Sequence, residues 1–308
     1  MHTEEIFDVI VVGGGAAGLT AGIYSSRARL STLILNEGAI GGQMVLTDEI
    51  ANYPGVEKTN GYLLASTMKK QAKEFGCKIK SNLKIKSYDL KGEIKRIFLE
   101  DGREFSARSV ILSPGGRPRS LQLPGEEQFK GSGISYCATC DGEFFTGKEV
   151  IVVGGGNSAL EEAVALTTHA EKVTIVHQFD HFQAFRHAIE QAEQNPKIDF
   201  ILESELRTFS GNGVLQEVSL EHLPTGKTTS RKIDGVFIFA GYIPNTAGLD
   251  GVVKLNERKE ILVDEDMKTS LPGVFAAGDC IQKKYRQVTT AVSDGTIASL
   301  SAAEYLRS

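Results

Sequence analysis

Four cysteines in 308 residues are too few for a disulfide scaffold. Cys137 and Cys140 form the one Cys-x-x-Cys pair, and Cys77 and Cys280 stand alone. A structural zinc site needs about four ligands, and no second Cys-x-x-Cys is there to complete one. No apolar run approaches the roughly 18 residues of a membrane span, so no membrane association is expected. The first residues, Met1-His2-Thr3-Glu4-Glu5, have neither the basic stretch nor the apolar run of a secretory leader. The net charge is -5 and no block of like charge occurs. The clustered Lys and Arg that phosphate contacts demand are therefore missing, which argues against a nucleic-acid partner. Together these absences point to a reducing cytoplasm, where an isolated Cys-x-x-Cys is more often catalytic or metal-binding than structural.

What is present is the balance of a globular chain, 41% hydrophobic and 24% charged, with enough length for two domains. Ile6 to Val12 is an apolar, β-branched run that reads as a buried parallel strand. Gly13-Gly14-Gly15-Ala16-Ala17-Gly18 follows it and opens a helix at Leu19, and a second strand from Ser31 to Leu35 ends at Asn36-Glu37. This strand–turn–helix–strand order binds a dinucleotide. Gly13 permits the tight turn, Gly15 lets the backbone approach a pyrophosphate, and Gly18 lets helix and strand pack closely. The helix N-terminus offers amides and a positive dipole end to the phosphates. Glu37, about 20 residues on, is placed to accept from ribose hydroxyls.

The same architecture recurs downstream. Glu149 to Val153 is a strand, Gly154-Gly155-Gly156-Asn157-Ser158-Ala159 the turn, Leu160 to Thr168 the helix and Val173 to His177 the second strand. A helix is expected over Gly61 to Phe75, a strand over Lys78 to Ile85, and a hairpin from Ile94 to Phe105 turning at Asp101-Gly102. Breaks at 113–118 and 240–245 mark domain boundaries. A short strand ending at Gly278-Asp279 puts a carboxylate at a sheet's carboxyl edge, and a helix of small residues runs from Thr290 to Tyr305. The fold class is α/β, with two Rossmann-like domains and the second inserted into the first.

Between the two glycine turns lies Cys137-Ala138-Thr139-Cys140-Asp141. The thiolate is the reactive form of cysteine, so a dithiol that exchanges with a disulfide must lose and regain protons near neutral pH. A carboxyl directly after the second cysteine suits that proton traffic.

In this order the motifs resemble those of the low-molecular-weight thioredoxin reductases, FAD-dependent members of the pyridine nucleotide-disulfide oxidoreductases. The resemblance covers nearly the whole chain. It rests on Gly-x-Gly-x-x-Gly at 13–18, Gly-Gly-Gln at 41–43, the Cys-Ala-Thr-Cys-Asp segment, Gly-Gly-Gly-Asn-Ser-Ala at 154–159 and Gly-Val-Phe-Ala-Ala-Gly-Asp at 273–279. It implies an FAD-binding domain made of residues 1–115 and 246–308, with 118–243 inserted. FAD would then lie along Gly13, Gly15, Ala16, Ala17 and Gly18, with Glu37, Gly42, Gln43, Asn52 and Gly115 around it. Gly278 and Asp279 would face the ribityl chain, and Arg286-Gln287-Val288 would run past the flavin ring. The resemblance also assigns the thiols, with Cys140 against the flavin, Cys137 attacking the disulfide of thioredoxin or a thioredoxin-like protein, and Asp141 as general acid/base. It further implies a homodimer and two domains that rotate about the breaks.

One departure matters. Relatives that use NADPH carry His-Arg-Arg at the end of the inserted domain's second strand and another Arg soon after, which grip the 2′-phosphate. Here the stretch reads His177-Gln178-Phe179-Asp180-His181-Phe182-Gln183, with the nearest basic side chain at Arg186. Three charge-assisted contacts of about 1.5–3 kcal/mol each are thus missing. Three input routes remain: NADH, weakly bound NADPH, or a donor other than a nicotinamide. The resemblance offers a ferredoxin-linked branch of the family for the third, and Lys283, Lys284 and Arg286 are its candidate basic docking residues. Pro114 is a smaller departure that removes an amide donor beside the first break. Two competing functions are a thiol-independent flavin oxidoreductase and a non-enzymatic nucleotide or redox sensor.

Overall fold

A computed structural model of the chain describes residues 5–47, 50 and 52–308, so residues 1–4, where no secretory leader was expected, lie outside the described residues. The chain forms two compact units, Met1–Arg117 with Ile243–Ser308, and Pro118–Tyr242.

In chain order the first unit begins with β1 (Ile6–Val12), α1 (Ala16–Arg27), β2 (Thr32–Leu35), α2 (Gly61–Glu74), β3 (Lys78–Lys80), β4 (Ile85–Asp89), β5 (Lys95–Leu99) and β6 (Glu104–Leu112). A connecting strand, β7 (Gly116–Pro118), leads out of it. The second unit holds α3 (Glu126–Phe129), β8 (Ile134–Ser135), α4 (Ala138–Asp141), β9 (Glu149–Val153), α5 (Asn157–Leu166), β10 (Lys172–Val176), α6 (Arg186–Glu193) and β11 (Ile198–Ile201). It ends with β12 (Ser204–Asn212), β13 (Val214–His222), β14 (Lys227–Lys232) and β15 (Gly235–Ile238). The return strand β16 (Tyr242–Pro244) pairs with β7, and β17 (Val274–Ala276) and α7 (Val288–Tyr305) complete the first unit.

The first sheet runs β3-β2-β1-β6, parallel throughout, and β17 joins β6 in parallel. The N-terminal half of β6 pairs instead with the antiparallel β4–β5 hairpin. Successive residues of a strand point to opposite faces, and both faces here are buried. Val9, Val11, Ile34 and Phe275 pack under α1, α2 and α7, while Ile10, Val12, Leu33 and Leu35 form a second core with Leu249, Val253 and Ile261. Strands buried on both faces read as the continuous apolar runs seen in the sequence. The second sheet, β11-β10-β9-β15-β8, is also wholly parallel. One face packs on α5 and α6, and the other on the antiparallel β12–β13–β14 meander.

One strand expectation needs correction, and one strand was not expected. The single strand expected over Lys78 to Ile85 is split into β3 and β4, because Asn82 takes a left-handed conformation (φ 57°) that no strand accommodates. Strand β14 has no counterpart in the sequence reading. Its residues, Lys-Thr-Thr-Ser-Arg-Lys, are nearly all exposed, and a strand without an apolar face lacks the alternation that marks one.

Candidate active site

In each sheet the glycine turn lies at the carboxyl end of the central strand, beside the point where strand order reverses. That is where α/β sheets bind ligands. In the first unit the three glycines divide the work. Gly13 has φ 105°, and a Cβ there would lie 2.1 Å from the Ser113 carbonyl oxygen, so the turn admits only glycine. A Cβ at Gly18 would lie 1.9 Å from the Gly13 carbonyl oxygen, which fixes how closely α1 sits on its own turn. At Gly15 the same atom would meet nothing nearer than Gly42 Cα at 3.9 Å. Gly15 is also the N-cap of α1, and no side chain caps that helix. An open glycine face at an uncapped helix N-terminus is the shape and polarity that a pyrophosphate fills, so these residues fit the FAD expected from the sequence.

The chain after β2 wraps this turn. Gly14 N donates to Asn36 Oδ1 at 2.8 Å, and Asn36 Nδ2 donates to the carbonyls of Gly38 and Ala39 at 2.6 and 3.0 Å. Gly41 N donates to Gly14 O at 2.8 Å, which brings Gly42 against Gly15. Asn36 therefore ties the strap to the glycine loop, a role the sequence reading missed. The Asn–Glu pair at a strand tip was its available signal. Glu37 is exposed, and its Oε1 accepts from Ile85 N at 2.9 Å. One of its oxygens is thus spoken for, and a ribose would meet the other. Gln43 and Asn52 are both exposed, in the segment that follows the strap. The Ser113 hydroxyl donates to the carbonyls of Val12 and Gly13, at 3.0 and 3.2 Å, and so links β6 to the turn. Gly115 turns away with φ 65°, and Asn245 Nδ2 caps the Pro114 carbonyl at 3.0 Å.

Beside the start of α1, where a Cβ at Gly278 would lie 2.9 Å from Ala17 Cβ, Gly278 N donates to Asp294 Oδ2 at 3.1 Å, and Asp279 is half-buried. Asp294 lies on α7 and pairs with Lys283, both side chains being about nine-tenths covered. Arg286 pairs with buried Glu260, and Arg286 Nε reaches Asp279 O at 3.5 Å. Gln287 caps α7, its N–H donating to Thr290 Oγ1 at 3.2 Å, and Val288 begins the helix two residues before the expected start. These pairs overturn Lys283 and Arg286 as a basic docking face, because their charges are turned inward onto carboxylates. Lys284 remains exposed, over the Tyr285 ring.

In the second unit Cys137 and Cys140 are joined in a disulfide, with Cα atoms 5.3 Å apart. Cys137 is the N-cap of the single-turn α4, and Cys140 N donates to Cys137 Sγ at 3.2 Å. Both cysteines and Asp141 are half-buried. Ser135, buried at the end of β8, donates to Asp141 Oδ2 at 2.6 Å and accepts from Cys137 N at 3.1 Å. On α5, burial and the neighbouring Glu161 push the Glu162 carboxyl above the usual range, with Thr139 of the motif as its opposing hydrogen-bond partner. Ser135 and Glu162 are further residues that the sequence reading left without a role. Cys77 and Cys280 are buried, and burial pushes their thiols up to about 11 and about 12. Cys280 packs in the apolar core of the first unit, with its thiol donating to the carbonyls of Leu112 and Ala277, so no reactive role is left for it.

The second glycine turn repeats the first in detail. Gln183 N donates to Gly155 O at 2.8 Å, the counterpart of Gly41 on Gly14. A Cβ at Gly156 would meet nothing within 4 Å, and α5 has no side-chain cap. Where the first turn has Asn36, the second has the His177 ring, which lies against Gly155, is buried, and is held below the usual histidine range by that burial. His177 stacks on Phe182 at 5.8 Å and meets the edge of Phe179 at 5.3 Å. Gln178, Phe179 and Gln183 are exposed around this aromatic cluster, and Arg186 pairs with Glu190 one helical turn along. The turn is kept, and the strand tip beside it is aromatic and amide rather than cationic. Among the described residues no cluster of His, Cys, Asp and Glu could hold a metal, and no helix is long and apolar enough to cross a membrane.

The family model of the pyridine nucleotide-disulphide oxidoreductases matches residues 7–295. The chain belongs to that family. It is 43% identical to a thioredoxin reductase of Peptoclostridium acidaminophilum over 310 residues, covering 98% of each chain. It is 41% identical to a thioredoxin reductase of Bacillus subtilis strain 168, covering 99% of this chain and 96% of the relative. A crystal structure of thioredoxin reductase from Streptococcus pyogenes superposes with a TM-score of 0.93 at 39% identity, covering 99% of both chains. The α/β class read from the sequence is the class of these relatives, and the chain is a disulfide oxidoreductase of their type. Family membership carries FAD with it and leaves the nicotinamide open.

Proposed function

We propose that the chain is a thioredoxin-disulfide reductase whose electrons come from a ferredoxin-type iron–sulfur protein rather than from NADPH. The observation that carries the reductase reading is the Cys137–Cys140 disulfide, with an acid held beside it by Ser135. FAD, when bound along Gly13–Gly18, Glu37 and Gly278–Asp279, supplies two electrons to that disulfide. Reduction also takes up two protons, and Asp141 is placed to give and receive them. The Cys140 amide points at Cys137 Sγ and favours that sulfur as the thiolate. The Cys137 thiolate attacks one sulfur of the thioredoxin disulfide, and the other sulfur leaves as a thiolate and is protonated. The Cys140 thiol then gives up its proton and attacks Cys137 Sγ as the thiolate, which restores the intramolecular disulfide, and the second thioredoxin sulfur leaves as a thiolate and takes up that proton.

The donor reading rests on the strand tip, where Gln178, Phe179 and Gln183 leave no guanidinium for a 2′-phosphate. A second reading, NADH or weakly bound NADPH, is favoured by the open side of Gly156 and the uncapped α5. In the same proposal residues 1–115 and 246–308 hold the FAD and 118–243 carry the dithiol. Segments 113–118 and 240–245 act as hinges, and the protein works in the cytoplasm as a homodimer.

Two measurements test the proposal. The oxidised flavoprotein is mixed anaerobically with NADPH, NADH or reduced ferredoxin in turn, and ferredoxin alone is expected to bleach the flavin quickly. Rapid bleaching by micromolar NADPH overturns the donor. Cys137→Ser is expected to keep its flavin and lose thioredoxin reduction, and retained transfer overturns the thiol assignment.

A further inference from the structure

We propose that Ser135 is a positioning residue, whose hydroxyl holds the Asp141 carboxylate and the Cys137 backbone in one hydrogen-bonded unit and so governs proton exchange at the dithiol. The inference rests on the reading of Asp141 as acid/base given above. Ser135 closes β8, the edge strand of the parallel sheet, and is 5% exposed. A hydroxyl has one proton to give and two lone pairs to accept with. The proton goes to Asp141 Oδ2 at 2.6 Å, in the short range of charge-assisted O–H···O⁻ bonds. The oxygen accepts the Cys137 N–H at 3.1 Å. The Cys137 carbonyl, at 3.3 Å, is the longer alternative for the proton. Ser135 and Asp141 thus bracket the motif from both ends, and one buried atom joins the acid to the backbone of the attacking cysteine.

A donor aimed at a carboxylate favours its ionised form. Removing the donor makes Asp141 take up its proton at higher pH and releases the side chain from its fixed orientation. Other titratable groups also lie around α4. Glu161 and Glu162 lie on α5, with Glu162 opposite Thr139. Glu143 follows in the next turn, and His169 approaches Gly142, where a Cβ would lie 3.4 Å from its ring.

The test uses the flavin-loaded protein and the variants S135A, S135T, D141N and S135A/D141N. Each is reduced anaerobically and mixed with an aromatic disulfide, 5,5′-dithiobis(2-nitrobenzoate), and separately with thioredoxin, across about pH 5 to 9. Flavin content and circular dichroism check folding, and S135G replaces S135A should the latter fail to fold. S135A is expected to move the acidic limb of the rate profile upward by about half to one pH unit, which is about 3- to 10-fold in rate below its midpoint, with the rates converging at high pH. S135T is expected to restore the profile, and in the D141N background S135A should leave the profile's shape unchanged. A uniform loss at every pH, or the same shift with and without Asp141, overturns the proposal. A normal shift with the aromatic disulfide and no activity on thioredoxin upholds Ser135 and overturns thioredoxin as substrate.

Discussion

Two glycines of the first turn, three residues apart, should respond oppositely to the same added methyl group. In Gly18→Ala the new Cβ lies 1.9 Å from the Gly13 carbonyl oxygen. Ordinary contact is near 3.5 Å, so α1 must retreat by about 1.5 Å from its own turn. Overpacking of that kind costs about 1–3 kcal/mol. At about 2–4 °C per kcal/mol for a large domain, the apoprotein should melt about 2–12 °C lower. In Gly15→Ala the backbone already has φ -78° and ψ -169°, which alanine adopts freely, and the nearest atom is 3.9 Å away. Alanine is a poorer N-cap than glycine, a difference of typically under about 1 kcal/mol, and the apoprotein should lose no more than that. The methyl instead occupies the space assigned to the pyrophosphate. Loss of one or more charge-assisted bonds of about 1.5–3 kcal/mol weakens FAD by at least about 10- to 150-fold. Flavin-to-protein absorbance ratios and FAD titration measure the affinity, and thermal unfolding after flavin removal measures the stability. Unchanged FAD affinity in Gly15→Ala refutes the assignment of that open face. Equal destabilisation by the two substitutions refutes the division of roles between the glycines.

Asp294→Ala removes the partner of nearly buried Lys283 and the acceptor of Gly278 N. An uncompensated buried charge costs about 3–5 kcal/mol, so denaturant unfolding should report a loss of that size, and a change below about 1 kcal/mol would mean the pair is solvated. Burial holds the Glu162 carboxyl above its ordinary range. Its contribution to stability is therefore fully present below the ordinary carboxylate range and is lost as pH rises through the higher folded value. Glu162→Gln should raise the melting temperature relative to the parent at pH 8 more than at pH 4, and an equal difference at both would contradict the burial effect. Cys77 and Cys280 titrate far above neutrality. Iodoacetamide at about pH 8 should label only Cys137 and Cys140 of the reduced native protein, while fast labelling of all four thiols would place the other two in reach of solvent.

The local elements were legible because their signals are local. A β-branched run, a glycine turn at fixed spacing and a following helix specify a strand–turn–helix whatever surrounds them, and the Cys-x-x-Cys-Asp segment names its own chemistry. The strap through Asn36, the hydroxyl of Ser135 and the polar strand β14 were not legible. Each acquires its role from a partner brought close by folding: Gly14 for Asn36, Asp141 for Ser135, and β13 for β14. The sign of a surface charge is equally a tertiary matter. Lys283 and Arg286 read as a basic patch along the chain, yet Asp294 and Glu260 turn both inward. By itself the sequence determined that two nucleotide-type turns and a dithiol share one α/β chain, because those features are written in spacing and residue type. Only the tertiary structure decided which glycine of the turn is left with open space, which acid is held beside the dithiol and which charges are already spent. Each of those depends on distances between residues far apart in the chain.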